Sequence, residues 1–156
     1  MGHNICALIV REPFDEGAAR EWDVHGMPLD AGLRLVHLSP AYTEHWQAKR
    51  GETSMLDVPA DFPGDFPREG VVAALAAAVS GPAPTFALVM TEYFGGMGEQ
   101  WACAFEAGRR VEGVTDINAA LRVLGVRADG GLDEFDTAGL GEHRRTPDYL
   151  FGYGGQ

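Results

Sequence analysis

Residues 85–107, "TFALVMTEYFGGMGEQWACAFEA", carry the clearest structural pattern in the chain. The first ten residues of this segment are rich in strand-forming side chains, and residues 99–107 alternate between two faces. On one face of that second strand lie Trp101, Cys103 and Phe105. Three glycines between the two strands suit a turn that requires positive φ angles. The segment therefore predicts a β-hairpin with a four-residue tip, Gly95 to Gly98.

Patterns on either side of this hairpin predict further strands and helices. Short apolar or alternating runs predict strands at 4–11 and 33–38, and a short strand at 109–113. Start and stop signals predict helices at 40–50, 67–80 and 116–125, with a short helical segment at 132–138. The glycine-rich stretch 12–32 is predicted to be mostly loop. This order predicts an α+β fold, a mainly antiparallel four- to five-stranded sheet with about three helices packed on one face.

The chain has 156 residues, of which 46% are hydrophobic. This length suits a single globular domain over residues 1–156 with a sizeable core. Residues 51–66 are predicted to form an acidic loop rich in proline and phenylalanine. The glycine-rich C-terminus, 152–156, is expected to fray.

Proline at every fourth position in "VPADFPGDFPREG", residues 58–70, excludes a continuous helix there. Phe62 and Phe66 are expected to anchor this loop on the core, which leaves Asp61 and Asp65 as candidate contact residues. Two interpretations stay open. The loop is either a solvated linker or an acidic, aromatic surface that binds a partner.

The formal net charge is −11, since 12 basic residues face 23 acidic ones. Nucleic acid and anionic membranes are disfavoured as partners because an acidic surface repels their phosphates. A basic protein partner would be attracted, although solubility alone also explains the charge. The oligomeric state stays open.

We expect a cytoplasmic protein, because no apolar run approaches the length of a membrane span and no targeting signal is present. The Ala-, Gly- and Arg-rich residue usage indicates a bacterial origin. Cys6 and Cys103 lie in apolar strands and are expected to be free, buried thiols. The five histidines lack the spacing of a zinc site, so no metal and no cofactor are predicted.

The hairpin end supplies most of the candidate contact residues. These are Glu92, Tyr93, Met97, Glu99 and Gln100. A hairpin would gather them, and two carboxylates held together could perform acid–base chemistry or could simply point into water. Arg144 and Arg145 could grip a carboxylate or phosphate, or could form salt bridges with local acids.

The segments "TEYFGGMGEQWA", "INAALRVLGV" and "DEFDTAGLGEHRRTPDYL" resemble parts of small uncharacterised bacterial proteins. In size and charge the chain is similar to immunity proteins, which block a partner toxin. This similarity implies a non-enzymatic binding protein that neutralises a basic protein partner. The alternative is a small-molecule binder or hydrolase with a site at the glycine-tipped end of the 85–107 hairpin.

Overall fold

The computed structural model describes residues 2–94 and 97–153. A six-stranded sheet lies at the centre, in the order β2-β3-β1-β4-β5-β6, and all its neighbouring strands are antiparallel. The strands are β1 (Cys6–Arg11), β2 (Met27–Leu29), β3 (Leu33–His37), β4 (Thr85–Phe94), β5 (Met97–Glu106) and β6 (Arg109–Arg110). The helices are α1 (Glu16–Glu21), α2 (Pro40–Lys49), α3 (Val71–Ser80), α4 (Ile117–Val123) and α5 (Glu134–Ala138). The predicted α+β class and antiparallel sheet are confirmed.

The sheet has six strands, whereas the sequence predicts four or five. The strand that sequence reasoning missed is β2, which lies in the predicted loop 12–32 together with α1. Pro28 interrupts the strand pattern of β2, since proline has no N–H to donate to a neighbouring strand. The position of β2 at the edge of the sheet makes this proline tolerable.

Helices cover both faces of the sheet, so the prediction of helices on one face is wrong. Leu8 and Val10 of β1 point into a first core with α1, α2 and α3. Ala7 and Ile9 point to the opposite face, into a second core with α4 and α5. Apolar residues at consecutive positions are the pattern of a strand buried on both sides, and such a strand requires cover on each face.

Side-chain caps mark the start of four of the five α-helices in the described chain; α3 has none. The Ser39 hydroxyl accepts a hydrogen bond from the Tyr42 N–H at 3.2 Å, which confirms the predicted start of α2. In α4 the cap is Asp116 rather than the predicted Thr115. α3 starts at Val71 rather than at Pro67. The last two differences shift boundaries by one residue and by four residues without changing the element order.

The loop 51–66 is attached to the first core by two phenylalanines. The Phe62 and Phe66 side chains are buried, and their ring centroids lie 4.8 Å apart. The carboxylates of Asp61 and Asp65 stay exposed. The two aromatic anchors therefore fix the position of a loop that presents acids to solvent.

The described chain ends in a 3-10 helix that includes two residues of the segment 152–156, which is predicted to fray. Gly152 and Tyr153 belong to a 3-10 helix, Asp148–Tyr153. Leu150 of that helix is buried in the first core, and the Tyr153 hydroxyl donates to Asp23. Residues 154–156 lie outside the described residues.

The β4–β5 hairpin forms as predicted but with a shorter connection. Pairing continues to Phe94 opposite Met97, so Gly98 belongs to β5 rather than to the tip. Gly98 has φ 152°, and a Cβ at this position would collide with the carbonyl oxygen of Glu92. The remaining tip positions, Gly95 and Gly96, lie outside the described residues.

We predict that Gly98→Ala destabilises the protein by about 1–3 kcal/mol, because alanine is strained at this φ and its Cβ meets backbone. Gly64→Ala is the matched control, since nothing lies within 4 Å of a Cβ there. Urea unfolding followed by circular dichroism measures both variants. Equal stabilities for the two variants would contradict the described geometry of β5.

Candidate functional site

Several chain segments meet at one end of the sheet, where β4 ends at the hairpin tip. Backbone hydrogen bonds between His3 and Tyr93, in both directions, extend the β1 side of the sheet next to β4. Beyond them, residues 142–148 cross the end of the sheet, and we call this segment the strap. Leu140, just before the strap, lies in the second core, and Leu150, just after it, lies in the first core. The strap therefore passes from one side of the sheet to the other.

Backbone contacts fix the strap against the start of the chain. The Asn4 N–H donates to the Arg144 carbonyl at 2.7 Å, and Asn4 forms a parallel bridge with Arg145. Just before the strap, the His3 Nε2–H donates to the Leu140 carbonyl at 3.0 Å. These bonds place the two arginine side chains at the end of the sheet.

A cleft of about 730 Å³ lies between the strap and the end of β4. Its walls include His37, Tyr93, His143, Arg144, Arg145 and Asp148. A second cavity of about 380 Å³ adjoins it, and Tyr93 and Arg144 line both. Clefts of several hundred Å³ are large enough for a small organic molecule.

The neighbouring hydrogen bonds hold Tyr93 in the wall between these cavities. The Gln100 side-chain amide donates to the Tyr93 hydroxyl at 3.1 Å. The same amide accepts from the backbone N–H of Ile117 at 2.8 Å, which ties the pair to the start of α4. Gln100 therefore positions Tyr93 from the second cavity.

His3 is a neutral, hydrogen-bonded imidazole next to these cavities. Its Nε2 must carry the hydrogen because its partner there is a carbonyl, so Nδ1 accepts from the Thr91 hydroxyl at 2.8 Å. Burial lowers the pKa of His3 below its usual value, and the charge of Arg144 lowers it further. These bonds indicate a structural role for His3.

His37 is buried and lines the cleft, and its Nδ1 has no hydrogen-bond partner among the described residues. Burial lowers the pKa of His37 to about 4, and the nearby His143 and His3 rings add to this effect. The ring centroids of His37 and His143 are 6.1 Å apart. A neutral imidazole with an unpartnered nitrogen thus lies in the wall of a cleft that also contains two arginines.

The hairpin presents a different surface on the side of the sheet that carries the first core. We call this side the first face and the opposite side the second face. Glu92 lies directly opposite Glu99, and Phe94 directly opposite Met97. Both carboxylates are exposed, and Phe94 and Met97 retain 88% and 78% of their accessible surface. We call these four residues the acidic hairpin face.

Burial raises the pKa of Cys6 to about 12, and the negative charges of Glu92 and of Asp65 in the anchored loop contribute to this rise, so both carboxylates lie within electrostatic range of Cys6. Cys6 points into the first core, so Asp65 and Glu92 approach the same face of β1. Asp61 is exposed in the same loop. The predicted acidic contact residues of the loop and the hairpin therefore share one face of the sheet.

The structure divides the predicted contact residues into two groups. Glu92, Met97 and Glu99 lie on the first face, whereas Tyr93 and Gln100 alternate to the second face. The hairpin brings Glu92 and Glu99 together at one end, as predicted, but Tyr93 and Gln100 lie on the other face because neighbouring strand residues point to opposite faces. Arg144 and Arg145 join Tyr93 in the cleft, where His37 and His143 were not predicted.

Neither cysteine contributes to these surfaces. Both are free thiols, and burial raises the pKa of Cys103 to about 12. Among residues 2–94 and 97–153, no three His, Cys, Asp or Glu side chains are arranged to hold a metal ion. Within those ranges, no helix combines the length and hydropathy required to cross a bilayer.

Comparisons of the chain with protein-family models, with curated proteins and with solved structures found no match.

We predict that His37 makes folding stability depend on pH below its unfolded pKa of 6.5. The folded pKa of about 4 is the lower value, so the unfolded state takes up the proton first and stability falls between pH 6.5 and 4. Replacing His37 with Gln removes about 3 kcal/mol of this loss between pH 7 and 4. Urea unfolding at both pH values measures the difference.

The matched control for this substitution is His45→Gln, at an exposed histidine. The control should keep the full pH dependence of the wild type. An identical pH dependence in His37→Gln and wild type would show that His37 is not held neutral by the fold.

Proposed function

We propose that this chain is a binding protein whose acidic hairpin face contacts a basic protein partner, in the manner of an immunity protein. The observation that carries the proposal is the pair of exposed apolar side chains, Phe94 and Met97, beside two exposed carboxylates. Each feature of this surface is unfavourable in the free chain and would become favourable against a basic partner.

The apolar pair supports a protein contact. Exposed large side chains that lie side by side are informative, because single apolar residues scattered on a surface are common and adjacent ones less so. Full burial of a Phe or a Met side chain is worth about 1.5–3 kcal/mol. Phe94 and Met97 keep most of their surface exposed, so a partner could gain much of this free energy.

The carboxylates favour a partner with positive charge. Glu92 and Glu99 face each other across the two strands, and like charges at such positions destabilise a hairpin. A lysine or arginine between them would remove that repulsion and form charge-assisted hydrogen bonds. The net charge of −11 would in addition raise the rate of encounter with a basic protein.

The anchored loop extends the same surface. Phe62 and Phe66 are buried in the first core and hold the exposed carboxylates of Asp61 and Asp65 on the same side of the sheet as the acidic hairpin face. The proposal places the encounter in the cytoplasm, where the free thiols of Cys6 and Cys103 would stay reduced.

We predict that the immobilised full chain captures a basic protein from a lysate of its native host at low salt. The double variant Glu92→Gln/Glu99→Gln keeps the side-chain shapes and should weaken capture about tenfold, because it removes the charges that face the partner. Met97→Ala should weaken capture by a similar factor through lost burial. Surface plasmon resonance with the purified partner measures both effects.

The matched control is Glu106→Gln/Glu112→Gln, which makes the same charge change at two exposed positions, the last residue of β5 and a residue after it. It should bind like the wild type. Capture of no protein at low salt, or equal losses in the two double variants, would contradict the proposal.

A further inference from the structure

The four arginines that form the two doublets of this chain have different surroundings. Arg110 of the first doublet pairs with Asp57 at 3.2 Å. In the described part of the chain, no ion pair within 4 Å involves Arg144 or Arg145. Arg144 and Arg145 differ from the other arginines without an ion pair in the described residues, Arg109 among them, because both line the cleft.

The strap holds these two arginines at the mouth of a preformed cleft. Hydrogen bonding of Asn4 to the backbone of Arg144 fixes their position at the end of the sheet. The Arg144 side chain donates to the Gly2 carbonyl at 3.3 Å, and its remaining N–H groups stay available. Both guanidiniums are exposed, so a ligand could reach them from solvent.

His37 is a further polar side chain in the wall of the cleft. The side chain retains 4% of its accessible surface, yet its Nδ1 has no partner in the described part of the chain. A buried polar atom without a hydrogen bond carries a desolvation penalty. This one belongs to a ring in the wall of the cleft that the arginines line.

We infer that the cleft binds a small organic oxyanion, with Arg144 and Arg145 gripping a phosphate or carboxylate group and Tyr93 and Phe94 contacting its apolar part. Guanidinium groups recognise both kinds of anion through paired hydrogen bonds. The cleft volume of about 730 Å³ exceeds that of a bare inorganic anion and leaves room for an organic body. Glu142 and Asp148 also line the cleft and would exclude a ligand with negative charge over its whole surface.

This site is separate from the acidic hairpin face. Glu92 and Glu99 point to the first face of the sheet, and neither lines the cleft. Phe94 is the residue common to both surfaces. Substitutions of the arginines therefore test the cleft without altering the carboxylates of the hairpin.

Isothermal titration calorimetry of the full chain tests the inference, with phenyl phosphate, benzoate and benzylamine as probes. Phenyl phosphate, benzoate or both should bind, and the ratio of their affinities distinguishes a phosphate site from a carboxylate site. Benzylamine, which has a similar ring and the opposite charge, should not bind. Arg144→Gln/Arg145→Gln should lower the anion affinity about tenfold or more. Arg144→Lys/Arg145→Lys should give a smaller loss, because lysine keeps the charge without the paired hydrogen bonds.

The matched control is Arg109→Gln/Arg127→Gln, which removes two exposed arginines that lie outside the cleft. This variant should bind the anions as the wild type does. The inference is overturned if neither anion binds at millimolar concentration, if both Gln double variants lose affinity equally, or if benzylamine binds as tightly. Circular dichroism of each variant shows that a loss of binding comes from a folded protein.

Discussion

The register between β4 and β5 determines both cores and both candidate surfaces. Near its centre, the pair Leu88–Cys103 points into the first core and the pair Val89–Ala102 into the second. Toward the tip, the same alternation sends Glu92 and Phe94 to one side and Tyr93 to the other. If β4 shifted by one residue along its neighbours, its side chains would exchange faces, and Glu92 would lie on the side where Tyr93 now lines the cleft.

Much of this hairpin could be predicted because its information is local. Alternation in residues 99–107 and strand-forming residues before it indicate two paired strands, and Ser39 marks the start of α2. The second core could not be predicted in the same way, since β5 contributes only small side chains, Ala102 and Ala104, to it. Alanine occurs on both buried and exposed faces, so its pattern does not indicate that this face of β5 is buried. The sequence therefore indicates helices on one side only. β2 was missed because its proline is acceptable only at a sheet edge, which is a tertiary property.

The candidate cleft was only partly predictable for a related reason. The residue types of Tyr93 and the Arg144–Arg145 doublet make them candidate contact residues in the sequence. The strap that brings them together depends on backbone hydrogen bonds between distant parts of the chain, which the sequence does not show. His37 lies at the end of a strand whose apolar residues are core, and only the fold shows that its Nδ1 lacks a partner. The acidic hairpin face was easier to predict from the sequence, because the register of a hairpin determines which residues are cross-strand neighbours.

Amide hydrogen exchange at Tyr93, followed by NMR, examines the connection between the hairpin and the cleft. The Tyr93 N–H donates to the His3 carbonyl at 2.9 Å, just as the Thr91 N–H donates to Ile5 at 2.9 Å. We expect both amides to exchange far more slowly than an exposed amide, because the end of β4 is fastened to the start of the chain. Exchange of the Tyr93 amide as fast as in an unstructured peptide would contradict this arrangement and, with it, the preformed cleft.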